Sequence, residues 1–187
     1  MTQEEPGWWP SLRGLWRHWI ALVGSVMRLR AKPVETNGLG LLRSVFLSVL
    51  VSLFLFVVAL SFIAPWDGGD EGWVPWAVVV IGIASLAYVA RIRRRPLSTT
   101  SPEALARYYR ALFFIEVGVA EAAALWGFAG VFLGGSAWIY LVGLAFGLVG
   151  LWMIAPTRSD IERRQREISA AGSPLSLLDA LISIPRP

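Results

Sequence analysis

The 187-residue sequence contains no cysteine and only one histidine, His18. Without cysteine, the chain forms no disulfide, no iron–sulfur cluster and no thiolate metal site. One histidine cannot supply both ligands of a bis-histidine haem, and it predicts no catalytic triad. No Walker loop, dinucleotide-binding glycine fingerprint or metal-ligand spacing occurs either. We therefore predict that the chain is not an enzyme and holds no cofactor or metal.

Charged residues are also scarce, because they make up 16% of the chain and hydrophobic residues 56%. A soluble domain has about 25% charged and about 45–50% apolar residues. The excess of hydrophobic residues lies in four apolar segments, residues 41–64, 73–90, 111–133 and 137–155. Each is close to the ~20 residues that cross a hydrocarbon core as a helix. The sequence predicts an all-α membrane protein with four transmembrane helices in two antiparallel hairpins.

The basic residues predict the orientation of these helices. Every Lys and Arg precedes or opens the first segment, lies between the second and third, or follows the fourth. The other two connections carry none, and the first of them holds Asp67, Asp70 and Glu71. Because basic loops stay in the cytoplasm, we predict a multi-pass inner (plasma) membrane protein with both termini cytoplasmic. This placement explains the net charge of +4 without a nucleic-acid partner.

Two cytoplasmic regions flank the predicted transmembrane domain of residues 41–155. Residues 156–187 form the C-terminal tail, and residues 1–40 form an N-terminal arm and linker. Within residues 10–30 of the arm, apolar residues at helical spacing form a stripe that includes Trp16 and Trp19. The basic residues Arg13, Arg17 and Arg28 lie on the opposite face of this predicted helix. This pattern is typical of an amphipathic helix on a membrane surface with anionic lipid head groups. The alternative is a helix packed against a partner subunit.

Local signals also predict where helices begin and end. Thr100 and Glu103 have capping-box spacing, which predicts that the third helix begins well before the membrane. Ser159 and Glu162 repeat that spacing and predict a short helix over residues 160–171 after Pro156, followed by a second one over residues 174–184. Trp126, in the middle of the third segment, is expected to pack inside the bundle.

Two glutamates, Glu116 and Glu121, interrupt the third apolar segment. Carboxylates are costly in lipid and mark candidate functional positions. Relative to Arg110 at the segment's edge, Glu116 lies about 9 Å deeper and Glu121 about 16 Å deeper. Five residues turn a helix by about 500°, so the two side chains diverge by about 140° and do not form a catalytic pair.

Each glutamate has different predicted partners. Arg43, at the start of the first segment, is expected to pair with Glu116. Glu121 has no basic candidate, so burial favours its protonated form. That form can hydrogen-bond to a hydroxyl stripe on the first segment, formed by Ser44, Ser48 and Ser52, or to Ser85 and Tyr88 on the second segment. Two interpretations remain open: the acids join helices structurally, or they form a proton or cation site.

Small residues concentrate in the third and fourth segments. Gly143 and Gly147 form a GxxxG pattern, and Gly127 lies on the preceding segment. Such residues let two backbones approach closely, and the short connection at residues 134–136 makes the helices antiparallel neighbours. We predict packing within this hairpin, with a contact to another protomer or a larger complex as the alternative.

Together these features favour a non-enzymatic role. The leading hypothesis is a small accessory or scaffold subunit of a membrane assembly, bound to other membrane protein subunits or to copies of itself. The alternative is a proton- or cation-translocating component that uses Glu121, with Glu116 as its cytoplasmic relay.

Overall fold

The computed structural model describes residue 8 and residues 38–66, 72–97, 100–133 and 135–183, and these residues contain six helices and no strand. The predicted amphipathic arm, with Arg13, Trp16, Arg17, Trp19 and Arg28, lies outside the described residues, as does the acidic stretch of Asp67, Asp70 and Glu71. The six helices are α1 (Gly38–Ile63), α2 (Val74–Arg93), α3 (Pro102–Phe132), α4 (Trp138–Ile154), α5 (Arg158–Ala170) and α6 (Leu177–Ser183).

Three helices, α1, α2 and α3, are long and apolar enough to cross a membrane. Their 26, 20 and 31 residues correspond to about 39, 30 and 46 Å at the rise of an α-helix, against a hydrocarbon core of about 30 Å. Helix α4 has 17 residues and is followed, after a break at residues 155–157, by the charged helix α5. Counting α4 together with α5 raises the number of candidate spans to four.

The helix starts predicted from capping signals need small corrections. Helix α3 begins at Pro102, and the hydroxyl of Ser101 accepts the N–H of Ala104 at 3.1 Å, so the cap lies one residue after Thr100. Helix α5 is capped by Thr157, whose Oγ1 accepts the N–H of Asp160 at 3.3 Å, two residues before Ser159. In both cases the cap is the hydroxyl residue immediately before the first helical position, as capping geometry requires.

The chain divides into two compact units. The first comprises Met1–Ser48, Pro96–Arg110 and Pro156–Pro187, and the second Val49–Arg95 and Ala111–Ala155. In the first unit, the side chain of Gln165 on α5 joins the segment leading to α6: its Nε2 donates to the carbonyl of Leu175 at 3.0 Å, and its Oε1 accepts the N–H of Leu177 at 2.7 Å. Gly172, with φ +80°, follows α5 in the left-handed conformation that glycine favours at a helix end.

The second unit contains the packed parts of the apolar helices. Val74 and Val78 of α2 form a buried cluster with Ile139 of α4. Gly82 of α2 faces the ring of Phe146 on α4 so closely that any side chain would displace that ring. At the start of α4, the N–H of Ala137 donates to the carbonyl of Pro65 at 2.8 Å, which ties the two connections of this unit together.

The prediction that Trp126 packs inside the bundle is wrong, because its side chain is 52% exposed. The buried side of α3 runs through Ala120, Ala123 and Gly127, and this line leaves Trp126 outside. Mid-helix position alone does not bury a residue in a membrane helix, because part of the helix surface is covered by lipid rather than by protein.

Candidate functional site

The part of α3 that belongs to the second compact unit, from Ala111 onward, has two contrasting faces. The packed face consists of residues that are buried in the structure, namely Phe113, Glu116, Ala120, Ala123 and Gly127. The open face consists of residues that are exposed or half-buried, namely Ala111, Phe114, Gly118, Glu121, Leu125, Phe128 and Phe132. The two glutamates therefore lie on different faces, as their predicted angular separation requires.

On the packed face, Glu116 forms an ion pair with Arg93. The Nη1 of Arg93 donates to Oε2 of Glu116 at 3.4 Å, and the two side chains are only 8% and 5% exposed. Arg93 is the last residue of α2, so this pair joins α2 to α3. A buried guanidinium and carboxylate are each costly alone, and pairing offsets part of that cost.

Sequence reasoning did not identify Arg93 as a partner of Glu116. The second apolar segment was predicted to end at residue 90, which placed Arg93 in a solvated loop. The available signal was helical spacing, because Arg93 follows the buried Val89 by one turn. A long arginine side chain at a helix end can reach back toward the protein interior while its stem covers apolar surface.

Arg43, the partner predicted for Glu116, lies at a buried position in the first unit. Its Nε donates to the carbonyl of Pro156 at 3.3 Å, and its guanidinium carbon lies 4.8 Å from the centroid of the Trp8 ring. That geometry is typical of a cation–π interaction. Arg43 is 2% exposed. Its two contacts connect α1 with the start of the tail and with Trp8. Its pairing with Glu116 stays a prediction.

On the open face, Glu121 is half-buried and makes no hydrogen bond or ion pair within the part of the chain that the structure describes. It lies within electrostatic range of Tyr140 on α4. Tyr140 is fully buried, and its hydroxyl donates to the backbone carbonyl of Leu53 on α1 at 2.6 Å. The Tyr140 ring also contacts the rings of Phe56 and Phe128 edge-on. The Tyr140 hydroxyl thus joins α4 to α1, and Glu121 lies within electrostatic range of it.

The serine stripe predicted to serve Glu121 is placed on α1. Ser52 donates to the carbonyl of Val49 at 2.8 Å, so its hydroxyl hydrogen is used within its own helix. Ser48 is half-buried in the first unit. Such bonds satisfy a hydroxyl in an apolar environment without any partner from another helix.

The predicted small residues lie where α3 and α4 cross. A Cβ on Gly143 would lie 2.7 Å from the carbonyl oxygen of Ala123 and 2.8 Å from the Cα of Gly127. A Cβ on Gly147 would lie 3.1 Å from the Cβ of Ala124. The packed face of α3 and the GxxxG pattern of α4 are thus in backbone contact, which only small residues allow.

Within the described ranges, no group of three or more His, Cys, Asp or Glu side chains could hold a metal ion. The chemistry of this site is therefore that of two carboxylates, one arginine and one tyrosine. A comparison with known protein families, with curated proteins and with solved structures finds no match for this chain.

Proposed function

We propose that this chain is a small, non-enzymatic accessory or scaffold subunit of a membrane assembly. The observation that carries the proposal is the use of the buried polar groups to join helices. The Glu116 carboxylate pairs with Arg93 between α2 and α3, and Tyr140 bonds α4 to α1. Polar contacts of this kind hold membrane helices together and need no bound substrate.

The outward side chains of the apolar helices also support this role. Phe62 of α1, Trp76 of α2 and Trp152 of α4 are 84%, 73% and 85% exposed. Large apolar side chains on a membrane helix contact either lipid or another protein. A chain built mainly of such helices offers a wide surface to a neighbouring subunit.

Isolation in mild detergent with an affinity tag tests the accessory role. We expect another membrane protein to co-purify at a fixed ratio through size exclusion, and its assembly on native gels to fail when this chain is deleted. An untagged strain is the control for non-specific capture. Recovery of this chain without any stoichiometric companion would contradict the proposal.

We further propose four transmembrane helices with both termini in the cytoplasm of a bacterial-type inner membrane, and an amphipathic arm on the cytoplasmic leaflet. Helix α4 serves as the fourth span, because its 17 residues are apolar throughout while α5 is highly charged.

The chain has no cysteine, so single cysteines can be introduced without a competing native thiol. We expect Ser98→Cys to react with a membrane-impermeant thiol reagent only from the cytoplasmic side, and Leu133→Cys, at a 59% exposed position, to react only from the outside. Labelling of Ser98→Cys from the outside would overturn this orientation.

Proton or cation translocation through Glu121 is the second candidate. It is favoured by the half-buried Glu121 carboxyl, which has no hydrogen bond within the described part of the chain and lies within electrostatic range of Tyr140. A carboxyl in such a position can bind and release a proton. In proteoliposomes, Glu121→Gln should then abolish pH-driven flux, whereas Glu103→Gln, at the exposed start of α3, should not. Equal flux in the unmodified chain, Glu121→Gln and Glu103→Gln would exclude translocation through Glu121, as would the absence of flux in the unmodified chain.

A further inference from the structure

The C-terminal end of α2 carries arginine at positions 91, 93, 94 and 95. One of these residues is used inside the protein, because the guanidinium of Arg93 pairs with the carboxylate of Glu116. The side chains of Arg91, Arg94 and Arg95 are exposed, and we call these three residues the arginine cluster. The end of α2 thus combines one arginine that joins helices with three that face the surroundings.

The chain places no acid near the arginine cluster in sequence. Between Glu71 and Glu103 there is no Asp or Glu, and this interval includes the whole of α2. The exposed arginines of α5 differ in this respect, since Arg158, for example, pairs with Glu162 one turn along the same helix. Three adjacent positive charges without an acid in their own helix favour an anion from outside the chain.

The arginine cluster continues the outward side of α2. On this side Trp76, Val80 and Ile83 are 73%, 65% and 57% exposed, and Tyr88 is 49% exposed. Arg91 follows Val80 by eleven positions, which brings the helix back to within about 20° of the same direction. The buried residues of α2 lie on the other side, namely Val74, Val78, Gly82, Val89 and Ile92. One side of α2 therefore changes from apolar side chains, through a tyrosine, to guanidinium groups.

The length of α2 places the arginine cluster at head-group depth. Trp73 and Trp76, at the opposite end of the helix, are exposed aromatic residues of the kind that lie at a membrane interface. Eighteen positions separate Trp73 from Arg91, which corresponds to about 27 Å of α-helix, against a hydrocarbon core of about 30 Å. With the tryptophans at one interface, the guanidinium groups reach the phosphates of the other leaflet.

We propose that the arginine cluster binds the phosphate of an anionic phospholipid whose acyl chains lie along the outward side of α2. A guanidinium group matches phosphate oxygens with paired N–H donors. Basic clusters next to a transmembrane helix attract anionic lipids, and the lack of an acid in α2 leaves the charge of this cluster available to them. A zwitterionic lipid is a poorer ligand, because its own cationic group already accompanies the phosphate.

Binding of phosphatidylglycerol that carries a fluorophore on one acyl chain tests the site. Energy transfer from the protein's tryptophans in mixed micelles gives the affinity, and phosphatidylcholine with the same fluorophore is the reference lipid. The unmodified chain should prefer phosphatidylglycerol, and added salt should reduce the preference by screening. Each single substitution, Arg91→Gln, Arg94→Gln or Arg95→Gln, should weaken phosphatidylglycerol binding by about fivefold, and the three together by about a hundredfold.

The matched control removes the same charge from exposed arginines of α5, by combining Arg158→Gln, Arg163→Gln and Arg166→Gln. This variant should retain the preference for phosphatidylglycerol, and circular dichroism confirms that each variant is folded. Equal affinity of the unmodified chain for the two lipids would overturn the proposal. Unchanged binding after substitution of the arginine cluster, or an equal loss in the α5 variant, would do the same.

Inorganic phosphate, added at constant ionic strength, distinguishes a lipid from a free anion. It should leave the labelled lipid bound, because it lacks the acyl chains that contact the outward side of α2. Displacement of the labelled lipid by inorganic phosphate would overturn the assignment to a lipid.

This inference does not depend on the accessory role proposed above. If the chain has no stoichiometric companion but substitution of the arginine cluster abolishes the lipid preference, the lipid site stands and the accessory role fails. If that substitution releases a co-purifying subunit and leaves the lipid preference intact, the arginines contact protein and the lipid site is wrong.

Discussion

The two faces of α3 use the same residue type in opposite ways. On the packed face, Glu116 is 4% exposed, pairs with Arg93, and is followed along the helix by small residues that contact α4. On the open face, Glu121 is half-buried, has no hydrogen bond within the described residues, and lies among exposed apolar side chains. The two acids are five positions apart in one helix. The comparison teaches that the face a carboxyl occupies, more than its depth, determines its partner.

Removal of Glu116 should have the largest effect on folding. Glu116→Ala leaves the buried Arg93 guanidinium without its carboxylate, which we expect to cost about 3–5 kcal/mol of unfolding free energy. Glu121→Ala, the matched change on the open face, should cost less than about 1 kcal/mol in the monomer. Reversible unfolding in mixed micelles measures both variants. Equal losses would show that the two faces do not differ in the way described.

Glycine substitution probes the same contrast without altering charge. Gly127→Val pushes a branched side chain into the backbone of Gly143, and we expect a loss of about 1–3 kcal/mol from overpacking. Gly118→Val on the open face meets no atom of its own chain and should leave monomer stability nearly unchanged. The two variants are compared by the same unfolding assay at equal protein and detergent concentrations. A stable Gly127→Val protein would disprove the close crossing of α3 and α4.

A double-mutant cycle isolates the ion pair itself. Arg93→Gln and Glu116→Gln should show a coupling energy of about 0.5–3 kcal/mol, as residues in direct contact do. The parallel cycle of Arg93→Gln with Glu121→Gln should give a coupling near zero, because Glu121 lies on the other face. If the second cycle matched the first, the assignment of Arg93 to Glu116 would be untenable.

The smallest expected effect concerns Tyr140, which bonds α4 to α1. Tyr140→Phe removes the hydroxyl that donates to the carbonyl of Leu53, and interhelical bonds in membranes average about 0.6 kcal/mol. Tyr88→Phe, at a 49% exposed position on α2, should change unfolding by less. No loss in Tyr140→Phe beyond that of Tyr88→Phe would mean that the Tyr140 bond does not stabilise the contact of α1 with α4.

Much of the secondary structure was predictable from the sequence. The four apolar segments correspond to α1–α4, and the capping patterns placed the starts of α3 and α5 within two residues. The errors concern contacts rather than helices: Trp126 was expected to be buried, and Arg93 was not recognised as a partner of Glu116. Hydrophobic runs and caps are local signals, whereas the covered side of a membrane helix depends on its neighbours. Since lipid and protein interior are similarly apolar, residue type does not distinguish them.

The sequence alone was sufficient to establish long apolar helices, the location of every arginine outside their centres, and two acids that point in different directions. These follow from the composition and the helical period, which are properties of one chain segment at a time. The pairing of Glu116 with Arg93, the backbone contact of Gly127 with Gly143 and the position of Glu121 on the open face of α3 became visible only in three dimensions. Each requires two helices at a defined rotation and crossing, and packing between helices sets that rotation.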